Sequence, residues 1–317
     1  MIQGIAYALS ACFIWGLIYI VPLFMTGFTS IEVVLGCYFF YGIVSSLMFL
    51  KSRFTGRSKY NQFIWLKAIE LSLVSTIGYY SFVVLALRYA SPAICTLILG
   101  ISPITIAFYS NWRQREISFT SLIFPSIMIL VGLVIINVPQ FEASYSQSNY
   151  IIGLVCSVLA LVSWSWYVVA NSRFLKKHPT VRSSEWTNLI GVATIFWVAL
   201  FICILFVFFE DQLQMEKYIT WNDELVGFLI GSAILGILCS WVGAFLWNQA
   251  SLHLPVFLAG QLTVFETIFG VSFVYLVNQT VPTVNDVIGI GTLLFAIVYG
   301  IRKFAKKKAY VNQITPH

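Results

Sequence analysis

A chain of 317 residues that is 59% hydrophobic and only 9% charged, with a mean hydropathy of +0.88, excludes a soluble globular domain. Apolar runs of about 20 residues recur along nearly all of it, each long enough to cross roughly 30 Å of hydrocarbon as a helix, and the short alternating segments of a β-barrel are missing. The formal charge of +6 sits in short loops between the runs, where it speaks to membrane topology and not to nucleic-acid binding.

The pattern predicts an all-α membrane protein with ten transmembrane helices, at about 3–22, 30–50, 63–87, 91–112, 118–138, 149–171, 183–208, 225–249, 254–277 and 284–302. The first run is expected as a retained helix, since no basic n-region or small-residue cleavage site accompanies it. It carries Trp15 and Tyr19. The second opens on Ser30-x-Glu32, the third brings Ser75, Thr76, Tyr79 and Tyr80, and the fourth bears Thr96, Gly100, Pro103 and Ala107 on one face. The polar PQFEASYSQSN then separates a first repeat, 1–140, from a second, 148–304. In that second part the sixth run presents Ala160, Trp164, Tyr167 and Asn171 on one face, and the seventh begins Glu185-Trp186-Thr187-Asn188. EDQLQMEKYITWNDE is the most acidic loop. The eighth run holds Trp241, Trp247 and Asn248, and the strongly basic RKFAKKK leads into a cytoplasmic tail, 305–317.

Lysines and arginines fix the orientation. With the N-terminus inside, all of the 18 except Arg88 and Lys217 fall on the cytoplasmic side, which puts both termini in the cytoplasm. Five spans per half then insert the sixth helix from the side opposite to the first, so the halves form an inverted repeat. Sequence identity between them is thin: Gly4, Ala11 and Trp15 match Gly153, Ala160 and Trp164, and Ser30-x-Glu32 matches Ser183-x-Glu185.

The ninth run holds a lone carboxylate, Glu266, at mid-depth. A charge there costs roughly 2.5–3.5 kcal/mol on insertion scales, so it faces a partner or a watery cavity. As a working group it accepts a proton or balances a cationic substrate; as a structural one it hydrogen-bonds neighbouring hydroxyls or backbone. Ala259, Thr263, Glu266 and Gly270 make a narrow polar and small-residue stripe on this helix. A shift of 163 residues lays the stripe on Thr96, Gly100, Pro103 and Ala107, which predicts that the fourth and ninth helices approach closely. Trp15, Tyr19, Tyr79, Tyr80, Trp164, Tyr167, Trp186, Asn188 and Thr263 are candidate lining residues around Glu266, although aromatic rings also serve as interface anchors. Glu32, Glu185 and Glu70 lie near helix ends, where the dipole or a neighbouring lysine suffices to explain them.

No enzyme signature is found. There is no phosphate loop, no HExxH and no paired aspartates, and the histidines have no ligand cluster, so neither a metal nor a cofactor is expected. Six cysteines, Cys12, Cys37, Cys95, Cys156, Cys203 and Cys239, all fall inside apolar runs without a CxxC pair and read as packing residues.

The opening Ile14-Trp15-Gly16 and the segment SPITIAFYSNWRQRE, with Pro103 in mid-helix and Glu116 closing the hairpin, resemble the EamA-like carriers of the drug/metabolite transporter superfamily. The second copy departs from the pattern, with Glu266 for the proline and Gln279 for the glutamate, and Cys37 stands where an arginine is frequent. SSEWTNLIGVAT and TVFETIFGVSFVYL are similar to the amino-acid exporters of that superfamily. The resemblance implies a cavity between the halves and alternating access, hence a secondary transporter in a bacterial inner membrane that exports small organic metabolites, amino acids first. A quaternary-ammonium or choline-type or multidrug cation carrier is the alternative, and an intramembrane enzyme or channel the remote one. The expected partners are a small-molecule substrate, membrane lipid and protons as coupling ion; monomer and homodimer both stay open.

Overall fold

The computed structural model of the protein describes residues 1–54, 60–90, 92–114, 118–141, 150–208 and 216–314. Every regular element among them is helical. Ten helices have the length and apolarity to span a membrane: α1 Ile2–Phe24, α2 Ser30–Phe54, α3 Gln62–Tyr89, α4 Cys95–Arg113, α5 Phe119–Asn137, α6 Tyr150–Lys177, α7 Ser183–Ile204, α8 Asp223–His253, α9 Val256–Asn278 and α10 Val284–Lys303. The expected spans are all present. Glu116 and most of the linker between the halves lie outside the described residues. One boundary differs: the helix of α10 runs on to Ile314, so the basic tail begins as helix. Lysine and alanine are good helix formers, no Gly or Pro interrupts 301–314, and positive charge suits a helix C-terminus.

Two ends can be told apart by what meets there. Gly4 of α1 lies against His253 and Leu254, where a Cβ on Gly4 would stand 2.8 Å from either side chain, and Lys176 donates to the Leu254 carbonyl at 2.7 Å. This is the basic end. At the far end Gly153, opening α6, packs on Tyr89 and Ala90, closing α3. The first half therefore starts from the basic end and the second from the far end, which makes the five-helix halves an inverted repeat.

Packing obeys the same exchange. α2 pairs with α7, α4 with α9 and α5 with α10; the α3–α6 contact is answered by α8–α1, and α4–α6 by α9–α1. Without a hydrophobic drive between helices in lipid, close backbone approach holds such pairs. Gly132 and Gly289 supply it for α5 and α10, since a Cβ on either would stand within 3.0 Å of the other's carbonyl oxygen. Large apolar side chains such as Phe124, Leu130, Phe295 and Val298 remain exposed on the outside, as a multi-pass membrane protein requires.

Backbone irregularities repeat where sequence identity does not. α3 widens into π-helix at Leu73–Gly78 and its counterpart α8 at Ile234–Val242. Both helices are capped by an asparagine: Asn61 accepts from the Ile64 N–H at 3.1 Å and Asn222 from that of Leu225 at 2.8 Å, each cap worth about 1 kcal/mol. The helices of α4 and α9 are each broken in mid-membrane.

Candidate functional site

The two breaks share one hydrogen-bond pattern. In α4 the Ile101 N–H donates to the Ile98 carbonyl at 3.1 Å and Ile104 to Ile101 at 2.9 Å; in α9 Thr263 donates to Gly260 at 3.2 Å and Glu266 to Thr263 at 3.0 Å. Ile101 and Thr263 stand 162 positions apart, one off the shift of 163 read from sequence. Each helix thus becomes two half-helices, Pro92–Gly100 and Ser102–Gln114 in one, Val256–Leu262 and Val264–Asn278 in the other. Pro103 explains the first break, because it lacks an N–H and its ring crowds the preceding turn. In the second, the Thr263 hydroxyl donates to the Gly260 carbonyl at 2.6 Å, offering the chain an alternative to the helical ladder.

Glu266 occupies the first turn of the second half-helix of α9, where the positive end of the dipole favours a carboxylate by about 0.3–1 kcal/mol. Its side chain is half-buried. Among the described residues no ion pair and no side-chain donor reaches it. Tyr19, Tyr79, Cys12 and Cys239 lie within its electrostatic reach. The Tyr79 ring packs on Trp164 at 5.4 Å between centroids; Trp164 meets Tyr167 at 5.5 Å and Trp15 at 6.3 Å, and Trp15 meets Trp247 at 5.4 Å. Tyr38 of α2 joins the group through Tyr79, Tyr80 and Tyr167.

The π segment of α8 fixes the floor of this group. A widened turn frees backbone carbonyls, and Cys239 uses one to accept the Trp15 indole N–H at 2.8 Å. The Trp15 ring packs on Gly243, where a Cβ would be 2.5 Å from the indole Nε1. Trp241, leaving the same segment, donates to Asn188 Oδ1 at 2.8 Å.

At the basic end the central helices meet. A Cβ on Gly260 of α9 would stand 2.9 Å from Cβ of Ile106 in α4, and Ile106 and Ala107 are fully buried there. Beyond the breaks they part: Gly100 faces Leu133 of α5, while Gly270 faces the Tyr19 ring of α1. A buried polar network reinforces the closed end. Asn171 donates to Asn248 Oδ1 at 2.7 Å, Asn248 to Thr187 Oγ1 at 2.9 Å, Trp186 to Asn171 Oδ1 at 2.7 Å and Tyr41 to the Thr187 carbonyl at 3.0 Å.

Comparison with known proteins places these features. Residues 151–301 match the profile of the EamA-like transporter family. That match lies within the second half of the chain. The chain is 27% identical over 317 residues to the inner membrane protein YtfF of Escherichia coli (strain K12), covering 97% of each chain. Over 218 residues it is 22% identical to the uncharacterized transporter YyaM of Bacillus subtilis (strain 168), covering 66% of this chain and 65% of that one. A solved crystal structure superposes on 96% of this chain and 98% of its own with a TM-score of 0.76 at 17% identity, a likeness of fold. The transporter-family profile match and the relative named as a transporter support a transporter role for this multi-pass membrane protein.

Within this fold the sequence-based candidates separate. Glu266, Tyr19, Tyr79, Trp15, Trp164 and Tyr167 come together; Tyr80 stands beside Tyr38 with its hydroxyl on the Ser30 carbonyl at 2.8 Å. Asn188 acts through Trp241, and Thr263 shapes the break. Trp186 does not reach the group: it is 0% exposed, stacked on Phe174 at 4.1 Å. The small stripe also needs correction. Thr96 donates to Asn137 of α5 at 3.4 Å and Gly100 and Gly270 turn to α5 and α1, so the α4–α9 approach rests on Gly260, Ile106 and Ala107; Pro103 and Ala259 are buried. The breaks let each half-helix take its own rotation, which a continuous stripe does not foresee. Tyr38 escaped the sequence-based selection. Its signal was a hydroxyl at mid-depth in an otherwise apolar span, where a polar group needs a reason.

Glu32 and Glu185, expected only to answer helix dipoles, do more. Tyr218 donates to Glu32 at 2.6 Å, with Lys217 paired to the same carboxylate at 2.7 Å; Tyr60 donates to Glu185 at the opposite end. Burial, then the carboxylate, pushes both phenol pKa values up, so both stay donors. The two latches are counterparts under exchange of the halves.

Proposed function

We propose that this protein is a secondary active transporter that exports small organic metabolites, amino acids and related amines, by alternating access. The observation that carries the reading is the matched pair of broken helices, which meet at the basic end, with a carboxylate beside one break that has no ion pair among the described residues. Broken helices in corresponding positions of inverted repeats mark transport sites, and exchanging the two half-structures moves the opening from one side to the other. The basic end faces the cytoplasm by the charge rule, so this conformation opens to the periplasm of a bacterial inner membrane. The proton is the coupling ion: a carboxylate that holds either a proton or a substrate, never both, links their movements.

Counterflow in proteoliposomes tests this. Vesicles loaded with an unlabelled pool of amino acids and primary amines accelerate entry of labelled members of the pool if the protein alternates. Entry linear in concentration and indifferent to the internal pool is the behaviour of a pore and defeats the reading.

A further inference from the structure

Resting on that transport reading, we propose that the Trp247 indole N–H and the Ser251 hydroxyl of α8 are the donors that take the substrate's carboxylate when it enters from the basic end. Three observations converge. Both residues are buried, at 2% and 1% exposure, and among the described residues neither Trp247 Nε1 nor Ser251 Oγ has a hydrogen-bond partner. Other indoles of the chain do find acceptors: Trp15 the Cys239 carbonyl at 2.8 Å, Trp186 Asn171 Oδ1 at 2.7 Å, Trp241 Asn188 Oδ1 at 2.8 Å and Trp197 Ser72 Oγ at 3.1 Å. A buried donor left unpaired is unfavourable and needs a reason. A partner that arrives only in another conformation supplies one.

The second observation is where the two groups stand. Cys239, Gly243, Trp247 and Ser251 follow one another at four-residue intervals along α8. The first two hold the Trp15 indole, whose ring meets that of Trp247 at 5.4 Å, and Asn248 alongside ties α8 to Asn171 and Thr187. The pair thus lies between the aromatic group and the closed basic end, on the stretch that a substrate from that side crosses first. Side chains one turn apart have Cβ atoms about 5–6 Å apart, a gap that the two oxygens of one carboxylate can bridge. The far end has no such pair. Moved by the 161 positions that separate the capping residues Asn61 and Asn222, Trp247 falls on Ala86 and Ser251 on Ala90, both buried and neither with a side-chain donor.

The third observation concerns charge. Lysines and arginines lie in loops or near span ends, and Lys176, which reaches this end of α8, is engaged by the Leu254 carbonyl at 2.7 Å. A carboxylate moving inward past that point must be met by neutral donors, and hydrogen bonds to a charged acceptor are the stronger kind.

The probes are the amino acids that exchange in the counterflow assay, each paired with its amino alcohol, which keeps the side chain and the ammonium and lacks the carboxylate. Half-saturating concentrations are read separately at the two faces of the full-length protein, in membrane vesicles of known orientation. Trp247→Phe and Ser251→Ala should each raise the value for the amino acid at the basic face about tenfold or more, and change the far face by less than about twofold. Inhibition by the amino alcohol at the basic face should stay as in wild type. Trp247→Phe should also lower the melting temperature less than Trp186→Phe, which gives up a bonded N–H from a comparably buried indole; a purely structural Trp247 would reverse that order. The proposal is overturned if amino acid and amino alcohol weaken together, if both faces change alike, or if neither variant alters the amino acid's half-saturation. Exchange that persists with unaltered half-saturation leaves the transport reading standing while the donor assignment falls; if no amino acid exchanges at all, the two fall together.

Discussion

Gly260 of α9 lies flat against Ile106 of α4, so near that a Cβ on residue 260 would come within 2.9 Å of the isoleucine Cβ. The facing atoms are a branched side chain and the backbone of a fully buried turn, which cannot swing aside. Overpacking of this kind costs about 1–3 kcal/mol. Because the strain falls on a close approach of the central pair at the basic end, Gly260→Val should favour conformations in which that end is open. Thiol labelling of Ala107→Cys from the basic side, in a background without native cysteines, should rise in Gly260→Val and not in Gly270→Ala. Equal labelling would remove Gly260 as the closing contact.

The register of the repeat supplies the opposite state. Moved by the 162 positions that separate the two breaks, Gly260 falls on Ile98 and Ile106 on Ile268. In the alternate conformation Ile98 and Ile268 should therefore meet at the far end. With a protease site placed in the linker between the halves, Ile98→Cys with Ile268→Cys should cross-link the two fragments through a short bifunctional reagent, and the cross-link should stop counterflow reversibly. Failure to cross-link in any condition, while Ile106→Cys with Gly260→Cys does, would mean that the halves do not exchange roles.

Asn248 both accepts from Asn171 and donates to Thr187 in a site with 1% exposure or less. Truncating it strands the buried Asn171 amide N–H, at about 1–3 kcal/mol for the unsatisfied donor, while the Thr187 hydroxyl keeps the Ser183 carbonyl at 2.9 Å. Asn248→Ala should lower the melting temperature clearly, and Trp186→Phe, which strands only one acceptor, should lower it less. The reverse order would show that the stacking of Trp186 on Phe174 outweighs the network.

Tyr60–Glu185 and Tyr218–Glu32 are related by the repeat but differ in reserve. Glu32 keeps Lys217 and the Thr29 N–H, at 2.7 Å each, when Tyr218 is removed, whereas among the described residues Tyr60 is the hydrogen-bond donor to Glu185. Each phenol–carboxylate bond should be worth about 1.5–3 kcal/mol, less where other donors persist. Tyr60→Phe should thus destabilise the purified protein more than Tyr218→Phe in thermal unfolding. A larger effect of Tyr218→Phe would show that Lys217 depends on Tyr218 for its position.

Several local features were visible in the residues without their reasons. Pro103 announced a break in α4, because proline removes a donor wherever it stands; nothing announced its twin at Thr263, where a hydroxyl and not a ring competes with the ladder. The likeness of Ser30-x-Glu32 to Ser183-x-Glu185 could be seen, but not that each glutamate takes a tyrosine from the loop before a distant helix. Trp164 and Trp186 look alike in sequence. One faces the central group and the other is sealed in a polar network, a difference set by which neighbours their helices find.

The sequence by itself determined the number of spans and the inverted relation of the halves, because hydrocarbon thickness and the distribution of lysine and arginine act on each segment alone. It also determined that one carboxylate would stand at mid-depth. Only the tertiary structure decided which rings surround Glu266, that Gly260 and Ile106 close the central pair with Ala107 alone of the expected stripe, and at which end. Those outcomes follow from the rotation of half-helices around two breaks and from the spending of indole and phenol donors on particular carbonyls, and both depend on contacts between residues far apart in the chain.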